Sequence, residues 1–277
     1  MERSALDHSC PGGTITGVKK ALIIGNWKSY VASPKEGIEL LKAVDKKLPR
    51  GMNSTVVVCP PTVLLAHTRN AYSGTRIALG AQDVSVSPLG AHTGESPAAL
   101  LRASGAQYVL VGHAERRDQG ESNASVAQKA RVALDSKLIP IICIGERMRD
   151  RGAEYLSVIE NMLFESLQSL ESPDLKRVVI AYEPVWAIGA PVAPGPRVIS
   201  EAVLYVRKLL IQAFGRDAAM KVKILYGGAV DQTNAHQVLV EGNAQGFLVG
   251  RASVDAANFA GIIRACESKV LHPLPTV

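Results

Sequence analysis

The sequence predicts a single-domain α/β protein folded as a closed (β/α)8 barrel. Eight short runs rich in β-branched residues alternate with longer amphipathic stretches, as in a chain of β–α units. The runs are continuously apolar, which is typical of strands buried on both faces of a parallel sheet. The 277 residues are 47% apolar and 20% charged, and barrels of about 250 residues commonly form one domain.

The predicted strands are Leu22–Gly25, Thr55–Val58, Ile77–Gly80, Tyr108–Val111, Ile139–Cys143, Val178–Ala181, Lys223–Tyr226 and Gly246–Val249. The segments between them begin like helices. Ser33 and Glu36 flank a proline and predict a capping box. Ser96-Pro97 and Asp231 mark further helix starts, and the last helix is expected near Asp255–Cys266.

A doubly wound sheet is the architectural alternative. Its phosphate-binding turn should follow the first strand as G-x-G-x-x-G. The first run is followed instead by Asn26-Trp27-Lys28-Ser29, which favours the barrel.

We expect residues 1–20 to form a loose N-terminal extension and residues 21–277 to form the barrel. The extension contains charged residues and Pro11-Gly12-Gly13, and it lacks the apolar core of a signal peptide. The longest mostly apolar stretch, Val178–Pro194, is interrupted by Glu183 and by prolines, so no membrane span is predicted.

The cysteines indicate the compartment in which the protein acts, and the charge balance indicates the class of partner. Four cysteines lie far apart without a C-x-x-C spacing, so we expect free thiols, no metal site and a reducing cytoplasmic location. Lys and Arg outnumber Asp and Glu by 31 to 25, which suits nucleic acid, acidic lipid or a phosphorylated metabolite. No nucleic-acid-binding signature is present, so a plain basic surface is favoured over a nucleic-acid site.

Polar residues follow several predicted strands. The carboxyl ends of barrel strands carry the functional residues of this architecture. The first strand is followed by Asn26 and Lys28, the fourth by His113 and Glu115, and the sixth by Glu183. The last two are followed by Gly227-Gly228-Ala229 and Gly250-Arg251.

Each of these features has an ordinary structural explanation by itself. Together they place a cation, an imidazole, a carboxylate and two glycine-rich anion sites at one rim. A carboxylate at the mouth of a barrel can act as a base. Backbone N–H groups of the last two loops commonly bind phosphate.

Four motifs resemble the triosephosphate isomerase family, in its order and spacing, from about Ala21 to about Ser268. They are Gly25-Asn26-Trp27-Lys28, Val111-Gly112-His113-x-Glu115-Arg116-Arg117, Ala181-Tyr182-Glu183-Pro184-Val185-Trp186-Ala187-Ile188-Gly189 and Tyr226-Gly227-Gly228, where x is any residue. The resemblance implies a TIM barrel that interconverts dihydroxyacetone phosphate and D-glyceraldehyde 3-phosphate by proton transfer through an enediolate, without cofactor or metal.

By that resemblance Glu183 is the base and His113, kept neutral by a helix N-terminus, polarises the carbonyl. Lys28 and Asn26 would stabilise the enediolate charge, and Glu115 would position Lys28. Backbone N–H groups would hold the phosphate at Gly189, Ala229, Gly250 and Arg251. The implied lid comprises Pro184, Val185, Trp186, Ala187, Ile188, Ala190, Pro191 and Val192, and its closure would exclude water.

The resemblance also implies a homodimer, in which the loop Gly90–Glu95 enters the neighbouring subunit. Thr93 would reach the partner subunit's Asn26 and the partner subunit's Lys28. Glu95 would pair with the partner subunit's Arg116.

The sequence departs from the family pattern at several positions. Ala114 replaces a serine whose hydroxyl holds the resting glutamate in relatives, and Arg251 replaces a glycine. Arg251 would be strained if a positive φ is required there; otherwise its guanidinium points to solvent.

The lid lacks both of the latches that relatives use when it is shut. In relatives, a serine hydroxyl at the position of Ala229 accepts from a lid N–H at the position of Pro191, and the tyrosine hydroxyl accepts from a lid N–H at the position of Pro194. Here Ala229 has no hydroxyl, and neither proline has an N–H to donate to Ala229 or Tyr226. At about 0.5–1.5 kcal/mol for each hydrogen bond, the closed lid loses about 1–3 kcal/mol, although the prolines stiffen the hinge in compensation. We therefore expect a working isomerase with a weakly latched lid, reduced turnover and extra methylglyoxal.

Two other functions remain open. An isomerase of another phosphorylated sugar, such as a tetrulose phosphate, would use the same chemistry with an altered pocket. A catalytically inactive barrel that serves as a binding scaffold is the second alternative, which the set Asn26, Lys28, His113 and Glu183 disfavours.

Overall fold

The computed structural model describes residues 20–190 and 193–268 of the chain. Apart from Lys20, the predicted N-terminal extension lies outside the described residues. So do Cys10 and, from the lid, Pro191 and Val192.

Eight parallel strands close into a barrel in chain order, with β1 hydrogen-bonded to β8. This confirms the predicted (β/α)8 architecture. The strands are β1 (Leu22–Asn26), β2 (Thr55–Cys59), β3 (Ile77–Ala81), β4 (Ala106–Val111), β5 (Ile139–Ile144), β6 (Val179–Tyr182), β7 (Lys223–Tyr226) and β8 (Gly246–Val249). The last two match their predicted bounds, β6 is shifted by one residue at each end, and the other five differ by one or two residues at one end.

The helices surround the barrel. They are α1 (Pro34–Lys47), α2 (Leu65–Ala71), α3 (Ala98–Ala103), α4 (Ala114–Asp118), α5 (Asn123–Asp135), α6 (Glu154–Leu167), α7 (Pro196–Phe214), α8 (Arg216–Ala219), α9 (Ala235–Val240) and α10 (Ala256–Glu267). Short 3₁₀ turns occupy Thr62–Leu64, Ser172–Arg177, Val185–Ala187 and Arg251–Val254. Among residues 20–190 and 193–268, no helix is both long and apolar enough to cross a membrane.

Two apolar layers explain why the strands read as continuous hydrophobic runs. Leu22 and Ile24 of β1 pack inside the barrel with Val57 and Leu110. The intervening Ile23 packs outward, in the layer between barrel and helices. Alternate side chains of one strand point to opposite faces, so both faces must be apolar.

Two of the predicted helix starts differ in detail from the structure. Ser33 accepts from the Glu36 N–H as expected, but the Glu36 carboxylate accepts from the Ala32 N–H rather than closing the box on Ser33. Asp231 does not begin a helix. Its carboxylate caps a turn by accepting from the Thr233 and Asn234 N–H groups, and α9 begins four residues later.

The cysteines of the described residues, Cys59, Cys143 and Cys266, are buried and free. This agrees with the expectation of unpaired thiols.

Candidate active site

A cavity of about 620 Å³ opens at the carboxyl ends of the strands. This is the end at which barrel enzymes place their functional residues, and the volume suits a small ligand. The predicted catalytic and phosphate-binding residues that line it are Asn26, Lys28, His113, Glu115, Glu183, Gly189, Ala229, Gly250 and Arg251. The structure thus brings together residues that lie up to 225 positions apart in the chain.

His113 and Glu183 face each other in this cavity. The His113 Nε2 atom lies 3.4 Å from the Glu183 Oε1 atom, and the two side chains are only 6% and 4% exposed. His113 caps α4, where its Nδ1 atom accepts a hydrogen bond of 3.2 Å from the Glu115 N–H. An Nδ1 that accepts carries no proton, so the ring is neutral with its proton on Nε2. That N–H points into the cavity beside the carboxylate.

The Glu183 carboxylate has a free oxygen. Its Oε2 atom is buried and has no hydrogen-bond partner among the described residues. Ala114, the buried first residue of α4, has no hydroxyl to offer it. Gly227 is required beside this side chain, because a Cβ there would lie 2.6 Å from the Glu183 Cγ. A carboxylate oxygen that has no hydrogen-bond partner is available to a substrate atom placed beside it.

Cys143 and Arg117 support this part of the site. Burial and the neighbouring Glu183 carboxylate raise the pKa of the Cys143 thiol well above its usual range, so the thiol stays protonated and is no nucleophile. The Arg117 guanidinium donates to the Gly112 carbonyl at 2.7 Å and to the Cys143 carbonyl at 3.1 Å. It thereby joins the end of β4, which leads to His113, to the end of β5.

Lys28 is held in an uncommon backbone conformation. Its φ is +47°, a region that costs a non-glycine residue roughly 1 kcal/mol or more. The Asn26 Oδ1 atom accepts from the Lys28 N–H at 3.0 Å, and the Gln82 amide donates to the Lys28 carbonyl at 2.9 Å. The Lys28 ammonium donates to the Glu115 carboxylate at 2.6 Å. These contacts aim the ammonium at the cavity.

Glu146 holds the start of the lid, a role that none of the sequence motifs indicated. Glu146 is fully buried after β5. Its Oε1 atom accepts from the Tyr182 hydroxyl and from the Trp186 Nε1–H, each at 2.9 Å. The position of Glu146, two residues after a strand, was a signal that could have found it. Gln82 directly follows β3 and was missed in the same way.

The lid begins with Pro184 and a 3₁₀ turn over Val185–Ala187. Ala187 is buried, whereas Trp186 is partly exposed. Ile188, Gly189 and Ala190 continue along the cavity. Two further residues of the predicted lid, Pro191 and Val192, lie outside the described residues.

Arg251 adopts no positive φ, so the backbone strain considered for it does not arise. Its Cζ atom lies 5.5 Å from the centre of the Tyr30 ring. The guanidinium therefore stacks over an aromatic face at the rim of the cavity.

The loop proposed to contact a second subunit is exposed. Thr93 and Glu95 lie at the surface. Arg116 pairs with Asp83 of its own chain at 3.0 Å, so a pairing with Glu95 of the partner subunit would have to share or replace this contact. Three exposed apolar side chains lie on the loops after β2 and β3, namely Val63, Val86 and Leu89.

Comparisons with known proteins agree with this geometry. The family model described as triosephosphate isomerase matches residues 21–266. A triosephosphate isomerase of Rhodopirellula baltica is 38% identical over 252 residues, covering 90% of this chain and 99% of the relative. Another, from Delftia acidovorans, is 39% identical over 251 residues, covering 90% of this chain and all of the relative. The chain therefore belongs to the triosephosphate isomerase family.

Proposed function

We propose that this isomerase interconverts dihydroxyacetone phosphate and D-glyceraldehyde 3-phosphate with Glu183 as its base. The observation that carries the proposal is the 3.4 Å separation between the His113 Nε2 and Glu183 Oε1 atoms in one cavity. A three-carbon substrate in contact with both presents a carbon-bound hydrogen to the carboxylate and its oxygens to the imidazole. Glu183 removes the proton from the carbon next to the carbonyl and returns it to the neighbouring carbon.

The His113 N–H polarises the substrate carbonyl during this step. A neutral imidazole both donates a proton to one oxygen and recovers one from the other. The Lys28 ammonium and the Asn26 amide stabilise the negative charge that develops on the enediolate. The Glu115 contact keeps Lys28 directed at that charge. Proton transfer alone completes the reaction, so no metal or cofactor takes part.

The phosphate binds at the end of the cavity opposite His113 and Glu183. Backbone N–H groups of Gly189, Ala229, Gly250 and Arg251 are its proposed donors. The lid from Pro184 onward closes over the bound substrate and keeps water from an enediolate that would otherwise eliminate phosphate.

A coupled assay on the purified chain with glyceraldehyde 3-phosphate, run beside a tetrulose phosphate, tests this function. Turnover of the triose phosphate in preference to the tetrulose phosphate is expected. Preference for the tetrulose phosphate would assign another sugar phosphate as the substrate. Binding without turnover of either would leave a binding scaffold.

If the lid is weakly latched, a substitution at Pro194 that restores a latch should change how the lid closes. Burial raises the pKa of the Tyr226 hydroxyl, which therefore stays protonated, and this hydroxyl has no partner among the described residues. Pro194→Ala supplies a backbone N–H from which the Tyr226 hydroxyl can accept a hydrogen bond. One added hydrogen bond shifts the lid toward closure by about 2- to 10-fold. The fraction of turnover lost to methylglyoxal should fall by a similar factor.

The double variant Pro194→Ala with Tyr226→Phe is the matched control, since it has the N–H without the acceptor. It should show no gain over Tyr226→Phe alone. An equal gain with and without the Tyr226 hydroxyl would show that backbone stiffness, and not a missing latch, governs the lid.

We also infer a homodimer joined through the loop around Thr93. Exposed Val63, Val86 and Leu89 near the same rim favour burial against a second subunit. Light scattering should give about twice the chain mass of 29.4 kDa. Thr93→Arg should give the single-chain mass and lose most turnover, because the loop also supports Asn26 and Lys28 of the partner subunit. Thr75→Arg alters an exposed position at the opposite end of the barrel and should change neither the mass nor the turnover. A wild-type chain that is monomeric and fully active would contradict the inference.

The buried free thiols of Cys59, Cys143 and Cys266 support a reducing compartment. We infer that the protein acts in the cytoplasm.

A further inference from the structure

We propose that the guanidinium of Arg251 is a side-chain ligand for the substrate phosphate. The inference deepens the proposed function, on which it rests, by moving part of the phosphate binding from the lid to the fixed rim of the barrel.

The fold places this guanidinium at the cavity. Arg251 begins the 3₁₀ turn directly after β8 and Gly250, and it lines the cavity together with Tyr30. The Tyr30 ring lies under the guanidinium, with the Cζ atom 5.5 Å from the ring centre. Stacking on an aromatic face restricts the orientation of an arginine side chain and leaves its N–H groups available at the edge.

The charges around the cavity favour an anion at Arg251. The Lys28 ammonium, which also lines the cavity, already has a carboxylate partner in Glu115 at 2.6 Å. Within residues 20–190 and 193–268, no carboxylate lies within 4 Å of the Arg251 guanidinium. A guanidinium without a carboxylate partner binds phosphate with paired, charge-assisted N–H···O bonds.

Asp231 also lines the cavity, and its negative charge opposes a dianion there. Its Oδ1 atom accepts from the Thr233 N–H at 2.7 Å and from the Thr233 hydroxyl at 2.6 Å. These donors turn the carboxylate into its own loop and lower its pKa, so it stays charged at neutral pH. Arg251 offsets this charge where the phosphate binds.

The lid gives this contact a purpose. Pro191 and Pro194 have no N–H to hold the lid shut, and Ala229 has no hydroxyl. A ligand fixed to the barrel rim binds phosphate whether the lid is open or closed. Arg251 therefore supplies affinity that does not depend on the missing latches.

Arg251→Gln tests the proposal, because it removes the charge and keeps the backbone N–H. We expect the KM for glyceraldehyde 3-phosphate and the inhibition constant of inorganic phosphate each to rise about 10-fold, as for loss of a charge-assisted hydrogen bond. The effect should fall on KM more than on kcat. Arg251→Lys should recover part of the affinity, and Tyr30→Leu should weaken phosphate binding to an intermediate degree.

Arg50→Gln is the matched control, since it removes the same charge from an exposed position at the opposite end of the barrel. If Arg50→Gln and Arg251→Gln raise KM equally, Arg251 acts only through the overall charge and the proposal is overturned. A fall in kcat with unchanged KM also overturns it. Calorimetric binding of inorganic phosphate keeps the two hypotheses apart: Arg251-dependent binding by a chain without turnover would support the subsite while refuting the proposed function.

Discussion

Glu183→Gln is expected to reduce kcat/KM by about 10⁴-fold, near the upper limit for loss of a general base. Glutamine has the same shape but cannot accept the substrate proton. The substitution also removes a buried charge whose Oε2 atom has no hydrogen-bond partner in the described part of the chain. We therefore expect the thermal midpoint to stay the same or to rise slightly.

Two controls separate the chemistry from folding and from contamination. Glu39→Gln, on the exposed face of α1, removes one carboxylate far from the cavity and should leave kcat/KM unchanged. If purified Glu183→Gln kept the wild-type level of activity, that activity would come from a contaminant or from another base.

His113→Gln should lower kcat by at least about 10²-fold, with a smaller change in KM. The glutamine amide can still donate a hydrogen bond to the carbonyl, but it cannot donate and then recover a proton between two oxygens. The substitution also removes the Nδ1 cap on the Glu115 N–H, which costs about 1 kcal/mol of stability. Steady-state kinetics and thermal unfolding on the same preparations separate the two effects.

His67→Gln, at an exposed position of α2, is the matched substitution and should retain wild-type kinetics. A rise in KM with normal kcat in His113→Gln would show that the imidazole only binds substrate. That result would refute its proposed role in the proton transfer.

The barrel itself could be predicted because its strands are buried on both faces. These strands are almost continuously apolar, with exceptions such as Gln107 in β4 and Lys223 in β7, so the runs define the strands to within two residues. Helix starts were less predictable. Asp231 has the side chain of a cap, yet it uses that side chain on its own turn with Thr233 and Asn234. Local hydrogen bonding of this kind competes with helix initiation, and composition does not reveal which will form.

The candidate site divides in the same way. Glu183 and His113 each lie two residues after a predicted apolar run and could be identified in order along the chain. The φ of +47° at Lys28 could not, because it is maintained by Gln82, which lies 54 positions away. The stacking of Arg251 on Tyr30 depends equally on how β8 and the loop after β1 meet. Such contacts follow from barrel closure and not from any local pattern.

In the proposed reaction one carboxylate, that of Glu183, exchanges protons with one face of a three-carbon phosphate. Proton NMR of dihydroxyacetone phosphate incubated with the protein in D₂O measures this directly. We predict incorporation of a single deuterium at one of the two prochiral hydrogens of the carbon that bears the hydroxyl, and loss of this exchange in Glu183→Gln. Isomerisation without any uptake of solvent deuterium, or deuteration of both hydrogens, would contradict the proposed role of Glu183.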